Sequence, residues 1–594
     1  MTALRRLALP LAVLAWCALA TASLVVALGP LSVPAIGVSI SRATRLLAAA
    51  AVLAGAALWC RGNVLALLDD LASSRAPYVA TLALTLVAFT ALLSTHGAVN
   101  VGGADSAGYL AQAARWRDGQ LRVPLPLAIP GIADPWVQSG LGLRPSATGD
   151  ATVPTYPPGL PWLEAVALRL GGEFAAVRGL PWLAAMVGLV AAWLVSVPRT
   201  GYPGAALVVT SLATLPPFLY QTLQPMSDAP ALAAWLLALA LASRTFPAAL
   251  VGAALATLVA IVIRPNLSPL VLVVAWQAWQ AVPRVSAQIR RRRPVVRLLV
   301  VCAGAFAGVA AVAAVQASLY GSPVRSGYGR ASDLFALRYV SENVRLYAAW
   351  FREGVAWPAG VVLLAGAACL AWRAVRQADW RPPAAMLVAV LVLYLVYIPF
   401  DSWTYLRFVL VPLALAPLGA AYVLHAVQES RFTRWTFPVT MVVLLAVALP
   451  NLRLARELTV FNVRAREYRY VAAGRYVADQ LPATAVIVAV QHSASTPYYS
   501  GRPVIRPDLL APDAFGTLVA WADRERRPLV FVLDESEPAT LHHRFGDAAL
   551  TALDWPPRAE IGRPIATRIW VGADREVYRA GGRIRTTRIT DIPR

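Results

Sequence analysis

The chain has 594 residues, 58% of them hydrophobic and only 14% charged, and its mean hydropathy is +0.59. Ordinary soluble domains carry about 25% charged residues, so a soluble fold is excluded and a multi-pass membrane protein is expected. The 53 basic residues against 31 acidic ones give a formal charge of +22, but all the basic residues are Arg and many lie in short connections between apolar runs, where membrane topology accounts for them and nucleic acid is not an expected partner.

Apolar runs of about 15 to 22 residues, long enough to span a bilayer, occur near 7–28, 40–60, 77–95, 179–197, 204–221, 229–243, 247–263, 267–283, 298–319, 355–371, 384–399, 405–425 and 436–450. The expected fold class is therefore an α-helical polytopic membrane protein of about thirteen transmembrane helices. The first run follows Arg5-Arg6, and its length suits a retained span better than a cleaved secretory signal. With the N-terminus inside, the short inside loops 61–76, 198–203, 244–246, 284–297, 372–383 and 426–435 hold Arg61, Arg75, Arg199, Arg244, the run Arg290 to Arg293, Arg373, Arg376, Arg381, Arg431 and Arg434. This is the positive-inside pattern. It implies a cytoplasmic N-terminus and an extracytoplasmic C-terminus; the expected location is the bacterial cytoplasmic (inner) membrane, with the lipid bilayer as the first partner. The cysteines Cys17, Cys60, Cys302 and Cys369 show no CxxC spacing, so neither a disulfide framework nor a zinc site is expected.

After residue 450 the pattern changes. Short β-branched runs such as Ala485 to Val490 and Leu529 to Leu533 flank a helical stretch around Tyr468 to Gln480, which reads as a small α/β domain outside the membrane. The expected organisation is a transmembrane domain over 1–455, with an outer loop over 96–178 that carries an amphipathic helix on the membrane surface, and an extracytoplasmic α/β domain over 456–594.

Four features fall on the outer face. Gly102-Gly103-Ala104-Asp105 opens a stretch with Tyr109, Gln112, Arg115 and Trp116. Tyr156-Pro157-Pro158-Gly159 is a rigid turn feeding a helix. Gln224-Pro225-Met226-Ser227-Asp228 precedes another. Arg264-Pro265-Asn266 and Tyr405-Leu406-Arg407 put guanidinium groups at or near outer helix ends. Each has a plain structural account as well. Asp105 suits a cap for a helix beginning at Ser106, and Asp228 a cap for its own helix. Arg264 and Arg407 suit snorkelling to headgroups. The Pro-Pro-Gly turn needs no ligand, and His492 in Gln491-His492-Ser493 suits a satisfied loop histidine.

In their order along one membrane face, over residues 77–425, these motifs resemble the GT-C membrane glycosyltransferases, specifically the glycosyltransferase 39 family of protein mannosyltransferases and aminoarabinose transferases. The resemblance implies transfer of a sugar from a polyprenyl-phosphate donor to a glycan, lipid or protein acceptor on the outer side. It implies Asp105 as general base, taking the acceptor hydroxyl's proton, and Arg264 and Arg407 as ligands of the donor phosphate. Tyr109, Tyr156, Asp228 and His492 are auxiliary candidates. The sequence departs from the family pattern at Ser106, where many relatives have a second acid. One carboxylate and a hydroxyl are poor ligands for Mg²⁺ or Mn²⁺, so no cofactor is expected. The competing readings are a polyprenyl-linked saccharide transporter or flippase, whose charges belong through the depth of the helices, and a non-catalytic cell-envelope scaffold.

Overall fold

The computed structural model describes residues 2–33, 38–281, 289–546, 550–562 and 565–590. Residues 284–288 of the expected inside loop 284–297, and the side chains of the Arg290 to Arg293 run, lie outside the described residues. Each of the thirteen apolar runs is helical over most of its described part, though the last four residues of 384–399 are not. Among the described residues, nine helices are long and apolar enough to cross a membrane, and the chain is a multi-pass membrane protein.

Sequence and structure divide the runs differently at a few places. Leu180–Thr214 is one long helix interrupted at Gly201, whose φ of 63° is costly for any residue with a Cβ. Asp228–Ala242 has 15 residues, short for a bilayer crossing. It is nonetheless apolar and buried on nearly every side, with Trp235 fully enclosed. A helix of that kind is the core of a bundle, with other helices between it and lipid. Around it pack Leu180–Thr214, Pro247–Ile263 and Val271–Gln280.

The helix Asp105–Arg117 forms as expected but not where expected. Ser106, Ala107, Gly108, Tyr109, Leu110, Gln112 and Ala113 are all buried, so it is not an amphipathic helix lying on the membrane surface. Its small residues let neighbouring backbone come close: a Cβ on Gly108 would run into the Tyr156 ring and the backbone of Gly142.

The C-terminal region is a mixed six-stranded sheet. Its strands are β1 (Val486–Val488), β2 (Val504–Ile505), β3 (Leu529–Asp534), β4 (Ala559–Ile561), β5 (Thr567–Val571) and β6 (Thr587–Ile589), in the order β6-β4-β5-β3-β1-β2. β1 pairs in parallel with β2 and β3, while β5 runs antiparallel to β3 and β4. Alternation along β3 sorts the two faces, because successive side chains of a strand point to opposite sides. Val530 and Val532 pack with Ala473 and Val477 of helix Val463–Gln480. Leu529, Phe531 and Leu533 pack with Phe515 and Leu518 of helix Ala514–Arg524. That second core also takes in Leu127, Ile129, Ile132 and Val137 from the outer loop. The outer loop is thus built into the α/β unit.

Candidate active site

Five pieces of chain, far apart in sequence, meet at one end of the bundle, one of them the start of helix Asp105–Arg117. The helix Pro247–Ile263 stops at Pro265, which lacks an N–H and disfavours a helical residue before it. Arg264 takes up the non-helical end position at φ −135° and ψ 84°. The Tyr156-Pro157-Pro158-Gly159 turn sits directly against this helix end, because Gly159 has no side chain: a Cβ there would meet the backbone of Val262 and Ile263. Arg407 comes from a 3₁₀ helix, Trp403–Val409, which Ser402 caps through Thr404 N–H. Asp228 begins the buried helix Asp228–Ala242.

The side chains of these pieces form one network. Arg407 Nη1 donates to Asp105 Oδ2 at 2.8 Å. Tyr156 Oη donates to Asp105 Oδ1 at 3.0 Å and lies equally close to the Ala104 carbonyl. Tyr109 packs against Tyr156 with ring centres 4.3 Å apart and ring planes tilted by 37°, and donates its hydroxyl to Ser227 Oγ at 3.0 Å. Arg264 reaches Ser227 Oγ through Nε at 3.2 Å and Tyr394 Oη through Nη1 at 3.1 Å. Its Nη2 lies 2.6 Å from Asp228 Oδ1, an ion pair not aligned as a hydrogen bond. Phe408 lies under both cations, 5.4 Å from the Arg264 guanidinium and 5.3 Å from that of Arg407, a range in which the ring quadrupole attracts them.

The structure therefore brings six expected residues, Asp105, Tyr109, Tyr156, Asp228, Arg264 and Arg407, into one cluster. Neither acid caps a helix. No side-chain cap forms at Ala104 or Ser227, which occupy the N-cap positions, and both carboxylates turn to guanidinium groups. Neither Arg snorkels to lipid headgroups, since their side chains are only 14% and 15% exposed. His492, an auxiliary candidate whose plain reading is a satisfied histidine, lies outside this cluster. It is fully buried in the α/β unit, with Nε2 3.0 Å from Asp534 Oδ1 and 3.1 Å from Thr567 Oγ1. Sequence reading did not single out Tyr394, Asn266, which donates to Tyr394 Oη at 2.8 Å, or Phe408 as members of the network. Their one signal was a polar or aromatic side chain close to Arg264 or Arg407, or inside an apolar run.

Charge and burial give the two ion pairs different characters. Asp228 is sealed, with no exposed side-chain surface, whereas Asp105 keeps 30% of its own exposed and is the acid a ligand can reach. Burial pushes the Asp105 carboxyl up, but the charge of Arg407, hydrogen bonds from Arg407 and Tyr156 and the charge of Arg264 together hold it below the usual carboxylate range. It is ionised at neutral pH. Burial first, and the Asp105 charge second, push the phenol of Tyr156 far up, so it stays a donor. Arg264 has all three nitrogens engaged. Arg407 Nε, by contrast, is buried without a partner among the described residues, a costly state for a charged group that a ligand oxygen would relieve.

No family model matches the chain, and no curated protein matches it. The chain is similar to solved structures. ArnT from Cupriavidus metallidurans bound to undecaprenyl phosphate aligns at 14% identity and a TM-score of 0.49, over 83% of this chain and 97% of that one. The Archaeoglobus fulgidus oligosaccharyltransferase in its apo form aligns at 12% identity and a TM-score of 0.49, over 81% and 72%. At such values function has to be read from the residues of the site themselves.

Proposed function

We propose that the chain transfers a sugar from a polyprenyl-phosphate donor to an acceptor hydroxyl on the extracytoplasmic side of the membrane, with Asp105 as general base. The observation that carries this reading is the pairing of Asp105 with Arg407. One guanidinium touches the accessible carboxylate through Nη1 and holds a second, unpartnered donor at Nε. That is the arrangement needed to seat a phosphate next to a base, because the planar guanidinium presents donors in a fixed fork.

In the reaction, the Asp105 carboxylate accepts the proton of the acceptor hydroxyl as its oxygen forms a bond to the anomeric carbon. The bond between that carbon and the phosphate oxygen breaks on the opposite face, and the electron pair leaves with the polyprenyl phosphate. The anomeric configuration inverts. Arg407 meets charge that grows on the leaving phosphate, and Tyr156 orients the carboxylate through its other oxygen. Arg264, anchored by Asp228, Ser227 and Tyr394, adds positive charge behind Arg407. The two acids of the site are each taken up by a guanidinium, and the chemistry as written needs no metal.

The test is transfer from a labelled polyprenyl-phosphate sugar in proteoliposomes. Asp105→Asn is expected to lower the rate by about 10² to 10⁴, the usual worth of a general base, with donor binding kept, and chelation to leave the wild type unchanged. Near-normal turnover by Asp105→Asn overturns the assignment. Movement of the donor across the bilayer without transfer favours the flippase reading.

A further inference from the structure

The loop that delivers Asp105 is gripped from outside the membrane part. Helix Val463–Gln480 and the short helix Ser495–Ser500 of the α/β unit hold residues 100–102, directly ahead of the proposed base. Asn100 Nδ2 donates to the Glu467 carbonyl at 2.6 Å. Val101 N–H donates to Tyr499 Oη at 3.0 Å, and that hydroxyl lies 3.1 Å from Glu173 Oε1, tying loop, α/β unit and the end of helix Gly159–Phe174 together. Gly102 lies so close to this surface that a Cβ would run into the Tyr470 ring and Glu467 Oε2. Among the described residues Glu467 Oε2 is buried with no hydrogen-bond partner.

Resting on the transferase reading above, we propose that Glu467 and Tyr499 are positioning residues for Asp105, through which the α/β unit sets the geometry of the catalytic loop. Neither is placed to touch the reacting atoms. Each acts through residues 100–104, and a base displaced by about 1 Å loses much of its effect. A carboxylate with one oxygen buried and short of a donor is unfavourable when charged, so the protonated Glu467 fits against Gly102 and the ionised one disturbs it. The groups facing it are Arg466, Arg469 and Tyr470 of its own helix, Asn100 of the loop, Tyr220 of the bundle, and Asp534 at the end of β3 with His492 beside it. Burial raises the Glu467 carboxyl to about 7 against the opposing pull of Arg469 and Arg466. The loop is therefore held best below that pH and loosened above it.

The experiment uses the full chain in lipid nanodiscs, with transfer kinetics across pH and amide-exchange protection of residues 101–104. In the wild type, transfer is expected to fall as pH rises through about 7, with protection of 101–104 falling alongside. Glu467→Gln, neutral at every pH, is expected to remove that alkaline limb and keep protection constant. Tyr499→Phe keeps the ring and loses the hydroxyl. It is expected to lower kcat by about ten- to a hundredfold at unchanged donor KM, with faster exchange at 101–104. A Glu467→Gln profile that overlays the wild type's, or Tyr499→Phe protection equal to the wild type's, overturns the proposal. If neither wild type nor variants transfer sugar, the exchange data alone decide the positioning role, and it is the transferase reading that fails.

Discussion

Arg407 donates to Asp105 across 302 residues of sequence, from a 3₁₀ helix near the end of the bundle to the first turn of the outer-loop helix. The contact couples two properties of the site: the charge of the acid and the availability of the guanidinium for an anionic ligand. Changes at either residue are expected to appear in both.

Replacing Arg407 by Ala removes the proposed phosphate donor. Donor affinity is expected to weaken by about 1.5 to 3 kcal/mol, the worth of hydrogen bonds to charged groups, or roughly ten- to 150-fold in Kd. Titration of the solubilised protein with polyprenyl phosphate measures it. Unchanged affinity returns Arg407 to a purely structural role.

The same substitution shifts a pH dependence. Asp105 is held below the usual carboxylate range in the folded chain. Its ionised form therefore contributes stability that is fully present above the ordinary carboxylate value of about 3.9 and lost as pH falls through the depressed one. The acid limb of the transfer rate is expected below about pH 4 in the wild type. In Arg407→Gln, where burial still acts and the compensating charge is gone, that limb is expected to move upward. Rate and thermal stability between about pH 3 and 6 report it, and an acid limb that stays in place removes Arg407 as the cause.

Arg264 and Asp228 are expected to behave otherwise. Arg264→Ala leaves the Asp228 carboxylate, with no exposed side-chain surface, without its counter-charge. Breaking a buried pair by removing one partner costs about 3 to 5 kcal/mol, so this variant should lose thermal stability more than donor affinity. The double variant Arg264→Gln with Asp228→Asn is expected to regain most of that stability. A double variant as unstable as the single one refutes the buried-pair account.

Gly159→Ala is expected to destabilise by about 1 to 3 kcal/mol, the range for forcing an extra methyl into a packed site. The methyl meets the backbone of Val262 and Ile263, which has little freedom to retreat, and the turn carrying Tyr156 must part from the helix end carrying Arg264. Thermal unfolding gives the first effect. Weaker polyprenyl-phosphate binding gives the second.

Topology is testable by labelling. In a background with Cys17, Cys60, Cys302 and Cys369 replaced, a cysteine at exposed Ser536 is expected to react with an impermeant reagent added from outside, and one at exposed Glu429 to be spared. The reverse pattern places the candidate site on the cytoplasmic face and overturns the extracytoplasmic assignment.

The sequence by itself determined the membrane class, the mainly helical character of the apolar runs and the small α/β unit, because these depend on apolar length and on local periodicity, which neighbouring residues set among themselves. It also marked Asp105, Arg264 and Arg407, since charge beside hydrocarbon stands out against an apolar background. Only the tertiary structure decided what those charges do. Asp228 read as a helix cap and is an ion-pair partner; the helix Asp105–Arg117 read as a surface element and is buried; His492 read as a satisfied loop histidine and is one in the core of the α/β unit, held by Asp534 and Thr567. Tyr394, inside an apolar run, joined the site only when the bundle closed. Hydrogen bonds and ion pairs between residues hundreds of positions apart depend on which helix ends packing brings within about 3 Å, and no local pattern encodes that distance.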